Sequence, residues 1–261
     1  MGEYATLNGI RTYYEVHGDE GSEPLVLLHG GISTAETWGG QAGPLGEHYR
    51  VYVPERRGHG RTPDVEGPFT YELMAADTAA FLGEVVGGPA HLVGWSDGGN
   101  TGLLVALSDP GLVRSLVAIG SNFHHDGGMF TPADSDLSAD APGLAVLRDL
   151  YGSTSPDGPE HWPVVFDKVN QMWAEGPTLT VEDLGRIEVP VLVMVGDDDV
   201  VRLDHTAAFY EALPKGQLAV VPRASHGLPM EQPEEVNRLI LEFLRGGEPQ
   251  TMMPVRRARD E

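Results

Sequence analysis

Cysteine is absent from the 261 residues, which excludes a disulfide, a thiolate nucleophile and a Cys-based metal site. Positive charge is scarce: 17 Lys and Arg stand against 39 Asp and Glu, a formal net charge of -22. A field of that sign repels a phosphate backbone, so nucleic acid is not expected as a partner, and the plain service of the acidity is solubility. No apolar stretch approaches the roughly 20 residues needed to span a bilayer, so no membrane association is expected. The opening Met1-Gly2-Glu3-Tyr4 lacks a basic region followed by an apolar run. No signal peptide is therefore expected, and the expected location is cytoplasmic. Internal repeats are lacking too. Hydrophobic residues are plentiful at 41%, enough to bury a sizeable core in one large α/β domain.

Two short strands, Tyr4–Leu7 and Arg11–Val16, are predicted around the turn Asn8-Gly9. Pro24–Leu28 reads as a buried strand that stops at His29-Gly30-Gly31, and Tyr49–Pro54 as another that ends in Glu55-Arg56-Arg57-Gly58-His59-Gly60-Arg61. Apolar spacing predicts a helix over Tyr71–Val86, strands over Ser115–Ile119 and Val189–Val195, a helix over Leu203–Leu213, an extended run over Gln217–Val221 and an amphipathic helix over Glu234–Leu244. Strands alternating with helices imply a mostly parallel twisted sheet covered on both faces, with ligands beyond the carboxyl ends of its strands. The stretch 122–185 breaks this rhythm, being rich in Gly, Pro and Asp and carrying Phe130, Tyr151, Trp162, Phe166, Met172 and Trp173. A structureless loop of that length is improbable in a compact domain, so a helical cap is expected there, inserted into a core of 1–121 and 186–245. Its aromatics have two open roles: packing between cap and core, or lining a substrate pocket. Residues 246–261 read as a tail that wraps the surface or frays.

The segment Ala90–Asn100 contains Gly94-Trp95-Ser96-Asp97-Gly98, with an apolar run before it and the helical pattern Leu103, Leu104, Val105, Leu107 after it. In that context the G-x-S-x-G pattern has a mechanism: an abrupt strand-to-helix turn holds the serine hydroxyl above the sheet edge. The N–H groups and positive dipole end of the following helix then face any oxyanion the serine generates. Such a serine needs a general base, and the base an orienting acid. The chain offers three consecutive aspartates at a strand end, Gly196-Asp197-Asp198-Asp199, and a histidine in Ser225-His226-Gly227 before the last helix.

Over nearly its whole length, from the first hairpin to Leu244, the chain resembles the α/β-hydrolase fold serine hydrolases. The matching segments are His29-Gly30-Gly31, Pro54–Arg61, the elbow Gly94–Gly99, Gly196–Asp199 and Ser225-His226-Gly227. The elbow and Leu150-Tyr151-Gly152 also resemble the biphenyl hydrolase-like (valacyclovirase) group. The resemblance implies Ser96 as nucleophile, His226 as base and Asp199 as acid, the last because the family's acid sits three residues after the strand-terminal glycine. Asp197 and Asp198 are then turn residues. It implies an oxyanion hole built from the N–H groups of Gly31 and Asp97, with Ile32 the alternative to Gly31. His59 is expected to be structural, and His124 and His125 are not expected to bind metal.

The expected reaction is hydrolysis of a carboxylic ester, lactone, thioester or activated amide of a small molecule through an acyl-enzyme, a carboxylesterase-like activity. It requires no cofactor and no metal. Trp95, Asp97, Trp162, Phe166 and Trp173 are the candidate substrate-binding residues. For the Asp97 carboxylate two roles stand open: favouring its helix N-terminus, or pairing with a substrate ammonium, as the valacyclovirase group does with the acid after its serine. A cofactor-free perhydrolase of haloperoxidase type, a C–C bond hydrolase and a non-enzymatic receptor on the same fold are the rival readings. A monomer or homodimer is expected.

Overall fold

The computed structural model describes residues 2–128, 138–247 and 251–254. Phe130 and much of the tail, 248–250 and 255–261, lie outside the described residues. Eight strands form one sheet: β1 (Glu3–Leu7), β2 (Ile10–His17), β3 (Pro24–Leu28), β4 (Arg50–Pro54), β5 (Ala90–Trp95), β6 (Val113–Ile119), β7 (Val191–Asp198) and β8 (Gly216–Ser225). Their order is β1-β2-β4-β3-β5-β6-β7-β8. Only the hairpin strand β2 pairs antiparallel, with β1 on one side and β4 on the other; every other pair is parallel. The order reverses between β4, β3 and β5, so the loops after β3 and β5 open at one point of the sheet edge, where ligands of such sheets bind.

Alternate residues of the central strands feed two separate cores, as the period of two requires. Val26, Leu28 and Leu92 pack on one face with Ala75, Phe81, Leu103 and Phe209. These come from helices α1 (Tyr71–Phe81), α2 (Asp97–Ser108) and, for Phe209, a later helix over Leu203–Ala212. Leu25, Leu27 and Val93 pack on the other face with Trp38, Leu45, Val236, Ile240 and Phe243. The first predicted helix is interrupted: α1 is capped at Thr70, whose hydroxyl accepts from the Leu73 N–H, and after Phe81 it continues as a π turn over Leu82–Val86.

Strands β7 and β8 both run further than their apolar patterns predict. Their pairing continues to Asp198 opposite Ser225, past an irregularity between Gly196 and Asp198. Backbone hydrogen bonds need no apolar side chain, so a polar strand end is invisible to periodicity. The consequence is local: Asp199 and His226 each follow the last paired residues, and the two loops leave the sheet side by side.

Between β6 and β7 the chain forms two longer helices, α3 (Ala145–Thr154) and α4 (Trp162–Glu175). Their apolar faces make a third cluster in which Tyr151, Trp162, Val165, Phe166, Val169 and Met172 meet Ile32, Phe69, Tyr71 and Met74 of the sheet-edge loops and α1. Polar contacts add to it: the Lys168 ammonium donates to both oxygens of Asp64 at 2.8 Å, and the His161 ring lies 2.8 Å from the same carboxylate. Phe166 is fully buried in this contact. Phe166→Ala is therefore expected to cost about 3–5 kcal/mol of folding stability, read by denaturant unfolding.

Candidate active site

Ser96 joins β5 to α2 with φ 53° and ψ -120°, a conformation that side chains rarely adopt. Its N–H donates to the Ile119 carbonyl of β6 at 2.7 Å, which anchors the turn to the sheet. Glycine is required on both sides. A Cβ on Gly94 would collide with the Gly98 backbone, and one on Gly98 with the carbonyl of Leu28.

The Ser96 hydroxyl lies 3.0 Å from His226 Nε2, and His226 Nδ1 lies 2.8 Å from Asp199 Oδ1. Asp199 is buried and its Oδ1 also accepts from the Val201 N–H at 3.0 Å, whereas Asp197 and Asp198 are exposed. Asp197 accepts from the Ala224 N–H and so ties its loop to β8. Of the three consecutive aspartates, only Asp199 reaches the histidine. Trp95, expected against substrate, has a different contact: its indole N–H donates to the His226 carbonyl at 2.7 Å and braces the histidine loop.

The loop His29-Gly30-Gly31 runs beside the elbow; a Cβ on Gly31 would touch the Asp97 carboxylate and the Trp173 ring. His29 is buried and held at both nitrogens: Nε2 accepts from the Arg56 N–H at 3.1 Å, so Nδ1 carries the proton and donates to the Gly30 carbonyl at 2.7 Å. Burial, with the Arg56 guanidinium second, holds His29 well below its ordinary range, so the ring is neutral. His59 repeats the arrangement. Its Nδ1 donates to the Arg57 carbonyl at 2.8 Å and its Nε2 accepts from the Ile32 N–H at 3.1 Å. The Ile32 N–H, the alternative oxyanion donor, is thereby occupied, while the N–H groups of Gly31 and Asp97 have no acceptor among the described residues.

Burial lowers His59 to about 3. The native ring stays neutral in the window from about 6.5 down to about 3, while an unfolded one protonates near its ordinary 6.5. The stability this confers is complete above pH 6.5 and is lost as pH falls through that window, by about 1.4 kcal/mol per pH unit. Glu55 acts in the opposite sense, because burial raises it to about 7. Comparing Tm of the wild type and His59→Gln at about pH 7 and about pH 5 isolates the histidine: the variant should lose less on acidification.

The Asp97 carboxylate is buried rather than exposed in its helix's first turn. It accepts from the Tyr71 hydroxyl at 2.7 Å and from the Trp173 indole N–H at 2.9 Å, so α1, α2 and α4 meet on it. Tyr71 is held in turn by the Asn100 amide at 3.3 Å. Of the expected pocket aromatics, Trp173 is the one in contact with the residue after Ser96. Phe166 is enclosed in packing, and Trp162 donates its indole N–H to the Ala139 carbonyl while its ring borders a cavity shared with Ile32, His59, Tyr151 and Val165. Tyr71 and Arg56 escaped the sequence reading of the site. Tyr71 looks like any apolar helix position, and Arg56 like any member of a charged turn. Among the described residues, one group has metal-ligand proximity, His124, His125 and Asp126, and there His124 Nδ1 already accepts from the Asp126 N–H at 3.2 Å.

A strained serine at a strand–helix turn, on this sheet order and beside a histidine and a buried aspartate, defines a class. The alpha/beta hydrolase family matches residues 25–239, and the chain belongs to it; the protein is a hydrolase. Among its relatives, the non-heme chloroperoxidase of Streptomyces lividans is 28% identical over 279 residues, spanning 94% of this chain and 100% of that one. Serine hydrolase BPHL of Homo sapiens is 26% identical over 256 residues, spanning 91% and 84%. The enol-lactonase from Burkholderia xenovorans LB400 superposes with a TM-score of 0.77 at 20% identity, over 94% of this chain and 100% of that one; at that identity the likeness is one of fold. No helix among the described residues is long and apolar enough to cross a membrane.

Proposed function

We propose that this hydrolase cleaves a carboxylic ester of a small molecule through an acyl-enzyme on Ser96. The observation that carries the reading is the unbroken hydrogen-bond line from the Ser96 hydroxyl through His226 to Asp199, at 3.0 and 2.8 Å. His226 takes the serine proton as Ser96 attacks the acyl carbon. The Gly31 and Asp97 N–H groups receive the tetrahedral oxyanion. The imidazolium then protonates the leaving alcohol, and the neutral ring activates the water that releases the acid. Asp199 keeps the proton on Nδ1 and stabilises the charged ring. The substrate class extends by the same steps to lactones, thioesters and activated amides. A serine nucleophile argues against epoxide hydrolysis and dehalogenation on this fold, which need a carboxylate.

Fluorophosphonate labelling with peptide mapping tests the nucleophile. Ser96 is expected to be the single labelled residue, and Ser96→Ala to lose labelling and at least about 10³-fold in turnover. Labelling of a different serine, or undiminished turnover, refutes the mechanism. Asp199→Asn is expected to lose roughly 10²–10⁴-fold in kcat, with Asp197→Asn and Asp198→Asn within about tenfold of wild type.

The Asp97 carboxylate is assigned to a substrate ammonium. Its two hydrogen-bond donors, Tyr71 and Trp173, are neutral, so neither forms an ion pair with the carboxylate. In Asp97→Asn, an amino-acid ester should lose about 10–100-fold in kcat/KM while its des-amino analogue is nearly unchanged. Equal losses on both substrates would reduce Asp97 to holding Trp173 and Tyr71.

A further inference from the structure

Arg56 is 4% exposed and lies beneath the loop after β3. Its Nη2 donates to the His29 carbonyl at 2.6 Å and to the Gly30 carbonyl at 2.9 Å. No carboxylate forms an ion pair with it among the described residues, and its Nε and Nη1 have no acceptor there. A buried guanidinium remains charged. Most buried arginines are matched by a contacting carboxylate, because an unmatched charge is costly. This one is spent on two backbone carbonyls, and the second of them belongs to the peptide group whose other end is the Gly31 N–H.

That covalent link is what gives the contact meaning. A trans peptide is planar, with C=O and N–H pointing in opposite directions, so fixing the carbonyl fixes the aim of the N–H. The Gly30 carbonyl is gripped twice, by Arg56 Nη2 and by His29 Nδ1 at 2.7 Å. Drawing electron density toward that oxygen also makes the N–H at the far end a better donor, as in any polarised hydrogen-bond chain. Charge placement points the same way. The Asp97 carboxylate stands against Gly31, where it opposes negative charge developing on an acyl oxygen. Tyr71 and Trp173 bring that carboxylate no positive charge. Arg56, a buried cation, interacts electrostatically with Asp97.

We propose that Arg56 is a positioning residue for transition-state stabilisation: by clamping the Gly30 carbonyl it orients and polarises the Gly31 N–H, and its charge offsets Asp97 at the oxyanion. The inference rests on the reading above that the Gly31 N–H receives the oxyanion. An interaction that strengthens only as the oxyanion forms raises kcat and leaves ground-state binding alone.

The test compares wild type, Arg56→Gln and Arg56→Lys on a neutral p-nitrophenyl ester. Turnover is normalised to the fluorophosphonate-labelled fraction of Ser96, so that misfolded protein does not count. Affinity is measured in parallel for an aryl trifluoromethyl ketone, which forms a tetrahedral oxyanion adduct with a serine. Arg56→Gln should lower kcat by about 10–100-fold with KM within about twofold. The trifluoromethyl ketone should weaken by the same factor as kcat/KM falls, and Arg56→Lys, which keeps the charge but not the planar fork, should recover part of the loss yet stay at least about threefold below wild type. A kcat loss without loss of ketone affinity, a change in KM alone, or wild-type kinetics in Arg56→Gln overturns the proposal. Should Arg56→Gln fail to fold, Arg56→Lys decides: parallel losses of about threefold or more in kcat and ketone affinity support the clamp, and wild-type values in both overturn it. Failure of the underlying mechanism reads differently, because it appears as an unlabelled Ser96 in the wild type.

Discussion

Gly98, two residues into α2, lies so close beneath the carbonyls of Leu28 and His29 that a side chain there would strike both. This contact between the elbow and the end of β3 fixes how near the serine turn comes to the His29-Gly30-Gly31 loop. It is the constraint on which the rest of the sheet edge depends. Parallel pairing of β3 with β5, Leu28 opposite Gly94, delivers the two segments to the same level. The absent side chains at Gly94 and Gly98 let them close, and Ser96 takes the strained conformation that results. Strain of this kind persists only where the surroundings over-determine it, and here the Ser96 N–H bond to Ile119 and the packing of α2 do so.

Around that contact the polar groups are organised by removal from water rather than by exposure to it. His29 and His59 are neutral because burial forbids the charge, and neutrality is what lets each ring donate at one nitrogen and accept at the other. Together they pin the backbone from Gly30 to Ile32 and leave the Gly31 N–H uncommitted. Arg56 is charged and equally buried, but its partners are backbone carbonyls of the same loop. The loop is thus held by a cation, two neutral rings and close-packed glycines.

The helical segment between β6 and β7 is joined to this edge by two different kinds of contact. Its apolar side packs Trp162, Phe166 and Val169 onto Ile32 and Met74, a contact without direction. Trp173 adds a directed one, an indole N–H on the carboxylate next to the Ser96 turn. A change in the position of α4 is therefore felt at Asp97.

Much of the core was legible in the chain. Apolar periodicity located the strands and principal helices, Asn8-Gly9 the hairpin, and Gly94-Trp95-Ser96-Asp97-Gly98 the elbow, because each reflects backbone geometry and burial within a few residues of sequence. The ends of β7 and β8 were not legible, since the pairing of Asp198 with Ser225 is made by backbone groups that leave no side-chain signature. For the same reason three adjacent aspartates could be told apart by resemblance but not by their chemistry. Burial and the reach to His226, which single out Asp199, depend on the register of two strands. The roles of Trp95, Tyr71, Trp173 and Arg56 belong to the folded molecule altogether. Sequence determines which residue types lie along each element, through local sterics and hydrophobic period. Which buried donor meets which buried acceptor is decided between residues distant in sequence, 131 positions apart for Trp95 and His226, and only tertiary packing brings them within hydrogen-bond range.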